Sequence, residues 1–149
     1  MEISNRKARH NYNVLEEYIA GIALVGSEVK SIKNGKCNIS DSYCYIDSNN
    51  EVWLKNCHIS KYESDKFTNH DELRERKLLL NKKEIRKISE AVVNPGFTII
   101  PLNMFIQKGK IKLKIGICKG KHNYDKRRDL QERAVKRDVA RELRDRQKG

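Results

Sequence analysis

A regular alternation of side chains in residues 110–118 is the pattern that most constrains the fold of this chain. Aliphatic residues occupy every second position there: Ile111, Leu113, Ile115 and Ile117. Lysines occupy positions between them: Lys110, Lys112 and Lys114. Because successive side chains of a β-strand point to opposite faces, the segment is predicted to be a strand with one buried face and a row of lysines on the other. Such a row suits either a phosphate backbone or a solvated barrel exterior.

Short runs of β-branched, aromatic and apolar residues, separated by turn residues, predict further strands. They are expected over residues 12–24, 38–47, 51–60 and 97–107, the last forming a hairpin with residues 110–118. Several short strands with a few inserted helices favour a mainly β fold. A small, closed or nearly closed antiparallel barrel is expected, and the OB-fold is its leading candidate.

Helices are predicted where capping residues precede an apolar face. Ser27 is expected to cap a short helix that ends at Gly35. Asn81, with Glu84 three residues later, forms a capping-box pattern that begins a second helix. The remaining segments of the body have other expectations: extended backbone over residues 1–11, a loop over 61–69 and a helical turn or two over 71–80.

Positive charge is unevenly distributed along the chain. The 149 residues carry a formal net charge of +12, and residues 119–149 alone hold 12 Lys+Arg against 6 Asp+Glu. An excess of positive charge concentrated in one segment favours a nucleic-acid partner. The alternative is a soluble basic protein without such a partner.

The C-terminal segment 119–149 has a helix-forming composition but no continuous apolar stripe. On a helical wheel Val135, Val139 and Leu143 fall close together, whereas Leu130 lies on roughly the opposite side. Because an isolated helix is marginal in water, this segment is expected to fold only on a partner. The alternative is a tail that serves solubility alone.

No pattern in the sequence indicates an enzyme, a metal site, a cofactor site or a membrane span. The four cysteines lack CxxC spacing and no secretory leader is recognised, so free, reduced thiols and a cytoplasmic location are expected. Glu28 and Asp41 are single carboxylates, expected to hydrogen-bond backbone groups. Trp53 is interpreted as barrel filling rather than a platform for base stacking. His70 and Asp71 are interpreted as a loop and helix cap rather than a catalytic dyad.

Four segments of the sequence together match the pattern of a known family. They are residues 5–10, most of residues 20–43, residues 69–80, and Lys119-Gly120-Lys121 with residues 124–127. Each segment is weakly specific by itself, but the set covers nearly the whole chain in the expected order. The chain therefore resembles the small protein B (SmpB) family.

The resemblance implies a function in ribosome rescue. Members of this family are not enzymes; their OB-type barrel binds the tRNA-like domain of tmRNA and supports its alanylation and its delivery by elongation factor Tu. The implied partners are tmRNA and the ribosome, through small-subunit rRNA, the decoding centre and the mRNA channel, with alanyl-tRNA synthetase and elongation factor Tu as indirect partners. The implied organisation is a basic segment 1–11, a tmRNA-binding barrel 12–118, and a tail 119–149 that becomes helical in the empty mRNA path.

The resemblance also assigns site residues by position. Those expected to bind tmRNA are Asn5, Arg6, Lys7, Arg9, His10, Leu78, Leu79, Leu80, Lys119 and Lys121, although Leu80 is equally suited to plain core. Those expected at the decoding centre and mRNA channel are Gly120, Tyr124, Asp125, Lys126, Arg127, Arg128, Arg133, Lys136, Arg137 and Leu143. No catalytic or metal-binding residue is implied.

This sequence departs from the family pattern at a few positions. Ile19 stands where many members carry an acidic residue implicated in tmRNA binding, and Glu72 stands where many have proline. No RNA-binding role is therefore transferred to Ile19. Two other functions remain open from sequence alone: a general OB-fold binder of ribosomal RNA or tRNA, such as an assembly protein, and an RNA-processing enzyme. The second is disfavoured by the lack of an acid–base or metal cluster.

Overall fold

The computed structural model of the chain describes residues 2–62 and 69–121. In these residues nine strands and three helices follow one another along the chain. Their bounds are β1 Glu2–Ser4, α1 Arg6–Asn11, β2 Tyr12–Ile22, α2 Gly26–Lys33, β3 Cys37–Asn38, β4 Tyr43–Ile46, β5 Val52–Lys55, β6 His58–Ile59, β7 Arg76–Leu79, α3 Lys82–Val92, β8 Phe97–Gln107 and β9 Lys110–Gly120.

Six of these strands close into an antiparallel barrel. β2 pairs with β9 on one edge and β7 on the other, β8 pairs with β9 and β4, and β5 joins β4 to β7. The short β1 pairs with β8, on residues 103–105. β3 and β6 form a separate two-stranded ribbon. The prediction of a mainly β fold built on a small antiparallel barrel is confirmed.

The alternating strand predicted at residues 110–118 is confirmed as β9. Its aliphatic side chains Ile111, Leu113, Ile115 and Ile117 are buried in the barrel core. The intervening lysines point away from that core, and Lys114 lies 3.8 Å from the carboxylate of Glu17 on β2. β9 therefore contributes its aliphatic face to the barrel core and presents lysines on the outer surface of the barrel.

The predicted capping box of α3 is also confirmed. The Asn81 side chain accepts from the Glu84 N–H at 2.8 Å, and the Glu84 carboxylate accepts from the Asn81 N–H at 3.2 Å. Ile88 is fully buried on the barrel core. This reciprocal pair fixes the start of the helix, and Ile88 holds it on the barrel.

Two segments differ from their predicted conformation. Residues 1–11 were expected to be extended; Glu2–Ser4 is extended as strand β1, but Arg6–Asn11 forms the six-residue helix α1. Residues 71–80, expected to be helical, form a turn followed by strand β7. In both cases distant partners set the conformation, since Asn5 at the start of α1 bonds to Ile39 and Pro101 and β7 pairs with β5 and β2.

Two long strands predicted from the sequence are interrupted. The first, over 38–47, splits into β3 and β4 around a turn; the second, over 51–60, splits into β5 and β6 at Asn56, whose φ is 62°. Asparagine is among the few residues that adopt this left-handed conformation readily. The breaks let one stretch of chain supply both the barrel and the separate ribbon.

A second apolar cluster lies outside the main core, beneath α1. It consists of Ala8 from α1, Ile100 and Leu102 from β8, and Cys118 from β9. Gly116 on β9 lies under this cluster, where an added Cβ atom would stand 2.9 Å from Leu102 Cδ1. The cluster attaches the N-terminal helix to the outer face of the barrel.

We expect Gly116→Ala to destabilise the protein by about 1–3 kcal/mol, because the added methyl group overpacks this cluster. The matched control is Gly26→Ala at the start of α2, where nothing lies within 4 Å of an added Cβ. Alanine there is expected to be neutral or to stabilise by about 0.4–1 kcal/mol. Urea unfolding followed by fluorescence of Trp53, the single tryptophan, measures both. Equal stability of the two variants would contradict the close packing of the second apolar cluster around Gly116.

Candidate RNA interface

Asn5 fixes the start of the N-terminal helix and is completely buried. Its side-chain oxygen accepts from the Ala8 N–H at 3.0 Å, which caps α1. Its amide nitrogen donates to the carbonyl oxygens of Ile39 at 3.1 Å and Pro101 at 2.8 Å. Asn5 was predicted to bind tmRNA, but with no exposed surface and these bonds it has nothing with which to contact RNA directly. It positions the residues that follow it.

Those following residues place positive charge on the exposed side of α1. Arg6, Lys7, Arg9 and His10 are all exposed. The Arg9 guanidinium donates to Asn103 Oδ1 at 2.8 Å, and the Lys7 ammonium lies 2.7 Å from Asp41 Oδ1. These two contacts hold the side chains at the surface, with the cations still open to solvent.

The end of β9 lies beside α1. The Lys121 N–H donates to the Asn11 carbonyl at 2.8 Å, and the Lys121 ammonium lies 3.5 Å from the Arg9 carbonyl oxygen. Lys119 is exposed and stands 5.7 Å from the centre of the Phe97 ring. The structure thus gathers six predicted tmRNA-binding residues into one surface, hereafter the basic end: Arg6, Lys7, Arg9, His10, Lys119 and Lys121.

The leucine motif lies far from the basic end. Tyr12, at the start of β2, pairs with Gly120, whereas Gly21, near the other end of β2, pairs with Leu79. At roughly 3.3 Å per residue these positions are separated by up to about 30 Å along β2. The structure therefore does not bring the two predicted tmRNA-binding groups together.

The three leucines also differ in exposure. Leu78 is 2% exposed in the barrel core, so its side chain is core and cannot meet RNA. Leu80 is half-buried and packs on the same core. Leu79 is 53% exposed, across from Gly21, and Ile19 nearby on β2 is 46% exposed. Only Leu79 has the exposure needed for direct contact.

An ion network centred on the buried pair Glu28 and Arg76 joins α2 to the start of β7, and nothing in the sequence pattern indicated it. Glu28 accepts from Arg76 Nε at 2.7 Å and from Arg74 Nη2 at 2.6 Å. Arg76 also donates to the carbonyl oxygens of Cys57, Asp71 and Glu72. Each of the three nitrogens of the buried guanidinium thus donates a hydrogen bond, and Arg76 connects elements that are far apart in sequence.

The ionised state of Glu28 is favoured in spite of its burial. Burial alone would raise the pKa of this carboxyl, but hydrogen bonds from Arg74, the Val25 N–H and Arg76 outweigh it and lower the pKa below the ordinary 4.5. The Val25 N–H donates at 2.9 Å at the start of α2. The Glu28 side chain, and not Ser27 as predicted, therefore caps this helix, because the Ser27 hydroxyl is buried 2.7 Å from His70 Nδ1.

His70 and Trp53 occupy structural positions. The His70 Nε2–H donates to the Ile59 carbonyl at 2.8 Å, so both ring nitrogens are engaged. Trp53 was predicted to fill the barrel, but Val52 and Leu54 are the inward-facing residues of β5. The Trp53 indole lies on the outer face, where its N–H donates to Asp47 Oδ2 at 2.8 Å. Neither arrangement resembles a catalytic site.

The described residues contain no cluster of three or more His, Cys, Asp or Glu side chains able to hold a metal ion. All four cysteines are free. Across residues 2–62 and 69–121, no helix has the length and apolar character needed to cross a membrane.

The predicted decoding-centre residues beyond β9 lie outside the described part of the chain. They are Tyr124, Asp125, Lys126, Arg127, Arg128, Arg133, Lys136, Arg137 and Leu143. Gly120 is the exception: it pairs with Tyr12 as the last residue of β9.

Comparisons with known proteins place this chain in a family. The family model "SmpB protein" matches residues 2–145. A "SsrA-binding protein" of Clostridium tetani is 54% identical over 142 residues, covering 95% of this chain and 90% of the relative. A "SsrA-binding protein" of Desulfitobacterium hafniense is 50% identical over 145 residues, covering 97% and 92%.

A solved structure described as "tmRNA-SmpB: a journey to the center of the bacterial ribosome" contains a similar chain. The TM-score is 0.72 at 41% sequence identity, over 91% of this chain and 95% of that one. The match in sequence and in fold extends over nearly the whole length of both proteins. The chain belongs to the SmpB family.

Proposed function

We propose that this protein binds tmRNA and acts with it on ribosomes in trans-translation. The relatives carry the name "SsrA-binding protein", and the similar solved chain belongs to a tmRNA-SmpB complex of the ribosome. The observation that carries the proposal is the basic end. Residues of α1, near the start of the chain, meet residues at the end of β9 and just after it there, through the hydrogen bond between Lys121 and Asn11. Together they form a cationic surface suited to an RNA backbone.

The individual steps proposed for trans-translation follow from the family resemblance. The complex would support alanylation of tmRNA by alanyl-tRNA synthetase and its delivery by elongation factor Tu. The tail would occupy the decoding centre and the empty mRNA channel. Tyr124 suits stacking on an unpaired base, and Arg127 and Arg128 suit phosphates, since a guanidinium binds them bidentately.

Salt dependence of binding tests the role of the basic end. Arg6→Ala and Lys121→Ala are each expected to weaken binding to the tRNA-like domain of tmRNA and to reduce the slope of log K against log salt by about 0.7–0.9. Lys83→Ala, on the exposed side of α3, is the matched control and should leave the slope unchanged. Fluorescence anisotropy with labelled RNA at several salt concentrations measures all three.

A random structured RNA of equal length is the comparison ligand in this experiment. The unaltered protein should bind it far more weakly than the tRNA-like domain. Comparable affinity for the two RNAs would reject the proposed function in favour of a general binder of ribosomal RNA or tRNA.

A further inference from the structure

A small cleft opens between α1 and the turn that precedes β4. Its volume is about 200 Å³, and Ile100 and Ala8 of the second apolar cluster contribute to its lining. The polar and aromatic residues around it are Lys7, Asn11, Tyr12, Ser40, Asp41, Ser42 and Tyr43. The cleft adjoins the basic end, since Lys7 belongs to both.

Two aromatic rings line this cleft. Tyr12 is half-buried against the second apolar cluster, and Tyr43 is 36% exposed at the start of β4. Neither hydroxyl has a hydrogen-bond partner among the described residues. A tyrosine ring that keeps exposed surface and has no hydrogen bond at its hydroxyl is free to stack on a planar ligand.

Hydrogen-bonding groups stand at the rim of the cleft. Lys7 bonds only one oxygen of Asp41, Oδ1, so the second oxygen remains an acceptor. The Asn11 side-chain amide has no partner within residues 2–62 and 69–121, although its backbone carbonyl is held by Lys121. The rim thus presents a carboxylate oxygen, an amide and an ammonium at the mouth of an apolar, aromatic space.

The dimensions and charges of the cleft restrict what it can hold. Its volume lies below the roughly 300–1,000 Å³ typical of pockets for whole small molecules, so a single planar ring fits better than a metabolite. The surrounding cations favour a ligand that carries phosphates. RNA recognition of unpaired bases combines these features: stacking on aromatic rings, hydrogen bonds to base edges, and cations on the neighbouring phosphates.

We propose that this cleft binds one unpaired nucleobase of the RNA held at the basic end. The base stacks on Tyr43 and Tyr12, its edge bonds Asp41 and Asn11, and Lys7 approaches the adjacent phosphate. The proposal rests on the proposed function, because the RNA is taken to be tmRNA. It adds a base-reading site to the cationic surface of the basic end.

Substitutions at Tyr43 test the stacking contact with the tRNA-like domain of tmRNA as the probe. Tyr43→Leu keeps an apolar side chain at an exposed position and should weaken binding by about 5- to 150-fold, the range that one stacked base contributes. Tyr43→Phe keeps the ring and should bind within a factor of about two of the unaltered protein. Thermal unfolding of both variants verifies that the barrel is intact.

A scan of single abasic substitutions at the unpaired positions of the same RNA identifies the base. One position should weaken binding of the unaltered protein and have no further effect on Tyr43→Leu. If Tyr43→Leu binds as tightly as the unaltered protein, or if every abasic position weakens both proteins equally, the cleft does not bind a base. If the unaltered protein does not distinguish the tRNA-like domain from random structured RNA, the proposed function fails and the cleft proposal fails with it.

Discussion

Removal of residues 122–149 is expected to abolish peptide tagging on stalled ribosomes while leaving the affinity for the tRNA-like domain of tmRNA largely unchanged. The cut leaves intact the barrel, the whole basic end and the hydrogen bond between Lys121 and Asn11. It removes the Tyr124 to Arg127 segment proposed for the decoding centre. The measurements are anisotropy with the labelled tRNA-like domain and an in vitro tagging reaction on ribosomes stalled without a codon in the A site.

The position of the cut decides whether this result can be interpreted. Lys119 pairs with Asn13 and Phe97, and Gly120 pairs with Tyr12, so a truncation before Lys119 would also shorten β9. Loss of tagging in that shorter protein would follow from either barrel damage or loss of the tail. Ending the chain after Lys121 separates the two causes.

A full-length variant provides the matched control for the truncation. Alanine at Asp125, Lys126 and Arg127 together should reduce tagging strongly and leave RNA affinity unchanged. Normal tagging by either altered protein would contradict the role proposed for the tail. Loss of RNA affinity in the truncated protein would instead show that residues 122–149 contribute to tmRNA binding.

The second large effect is expected from Glu28→Ala, which should destabilise the protein by about 3–5 kcal/mol. The substitution leaves the buried guanidinium of Arg76 without a counter-charge. Arg74→Ala is the control. Its side chain is 36% exposed and Glu28 would keep Arg76, so a loss of about 1 kcal/mol or less is expected.

Urea unfolding followed by Trp53 fluorescence compares these two variants with the unaltered protein. If Glu28→Ala proves too unstable to purify while Arg74→Ala folds normally, that difference supports the same conclusion without a measured free energy of unfolding. Similar stability losses in both variants would show that the network is not organised around the buried pair.

The same network predicts a dependence of stability on pH. Because the pKa of Glu28 is lowered in the folded protein, its contribution to stability is present above the ordinary pKa of 4.5 and is lost as pH falls through the lowered value. The free energy of unfolding should therefore decline below about pH 4.5, and this part of the decline should be absent in Glu28→Gln. An identical decline in Glu28→Gln would assign the acid sensitivity to other carboxylates.

The parts of the fold that could be predicted from the sequence are those governed by local pattern. The alternation in β9 and the capping box at Asn81 and Glu84 each act within a few residues, and both are confirmed. β7 could not be predicted in this way, because its conformation is imposed by pairing with β5 and β2. α1 likewise depends on bonds from Asn5 to Ile39 and Pro101, which are remote in sequence.

The candidate site also could be predicted only in part from the sequence. The basic residues could be identified by charge and family resemblance. The resemblance could not distinguish residues exposed for contact with RNA from buried residues that position them. Asn5 and Leu78 fall in the expected motifs and prove to be buried, whereas Tyr43 was not among the predicted site residues and is exposed at the cleft. Arg76 was unpredictable as a buried residue, because an arginine is normally exposed and its partner Glu28 lies 48 residues away.

The hydrogen bond between the Lys121 N–H and the Asn11 carbonyl has a geometric consequence for work on the ribosome. It sets the point from which the C-terminal segment leaves the barrel, immediately beside α1, the helix proposed to face the RNA. Under the proposed function, the number of residues after Lys121 would then limit how far from the bound RNA each part of the segment can reach. Inserting or deleting residues there would therefore shift where the segment reaches without altering how the RNA is held.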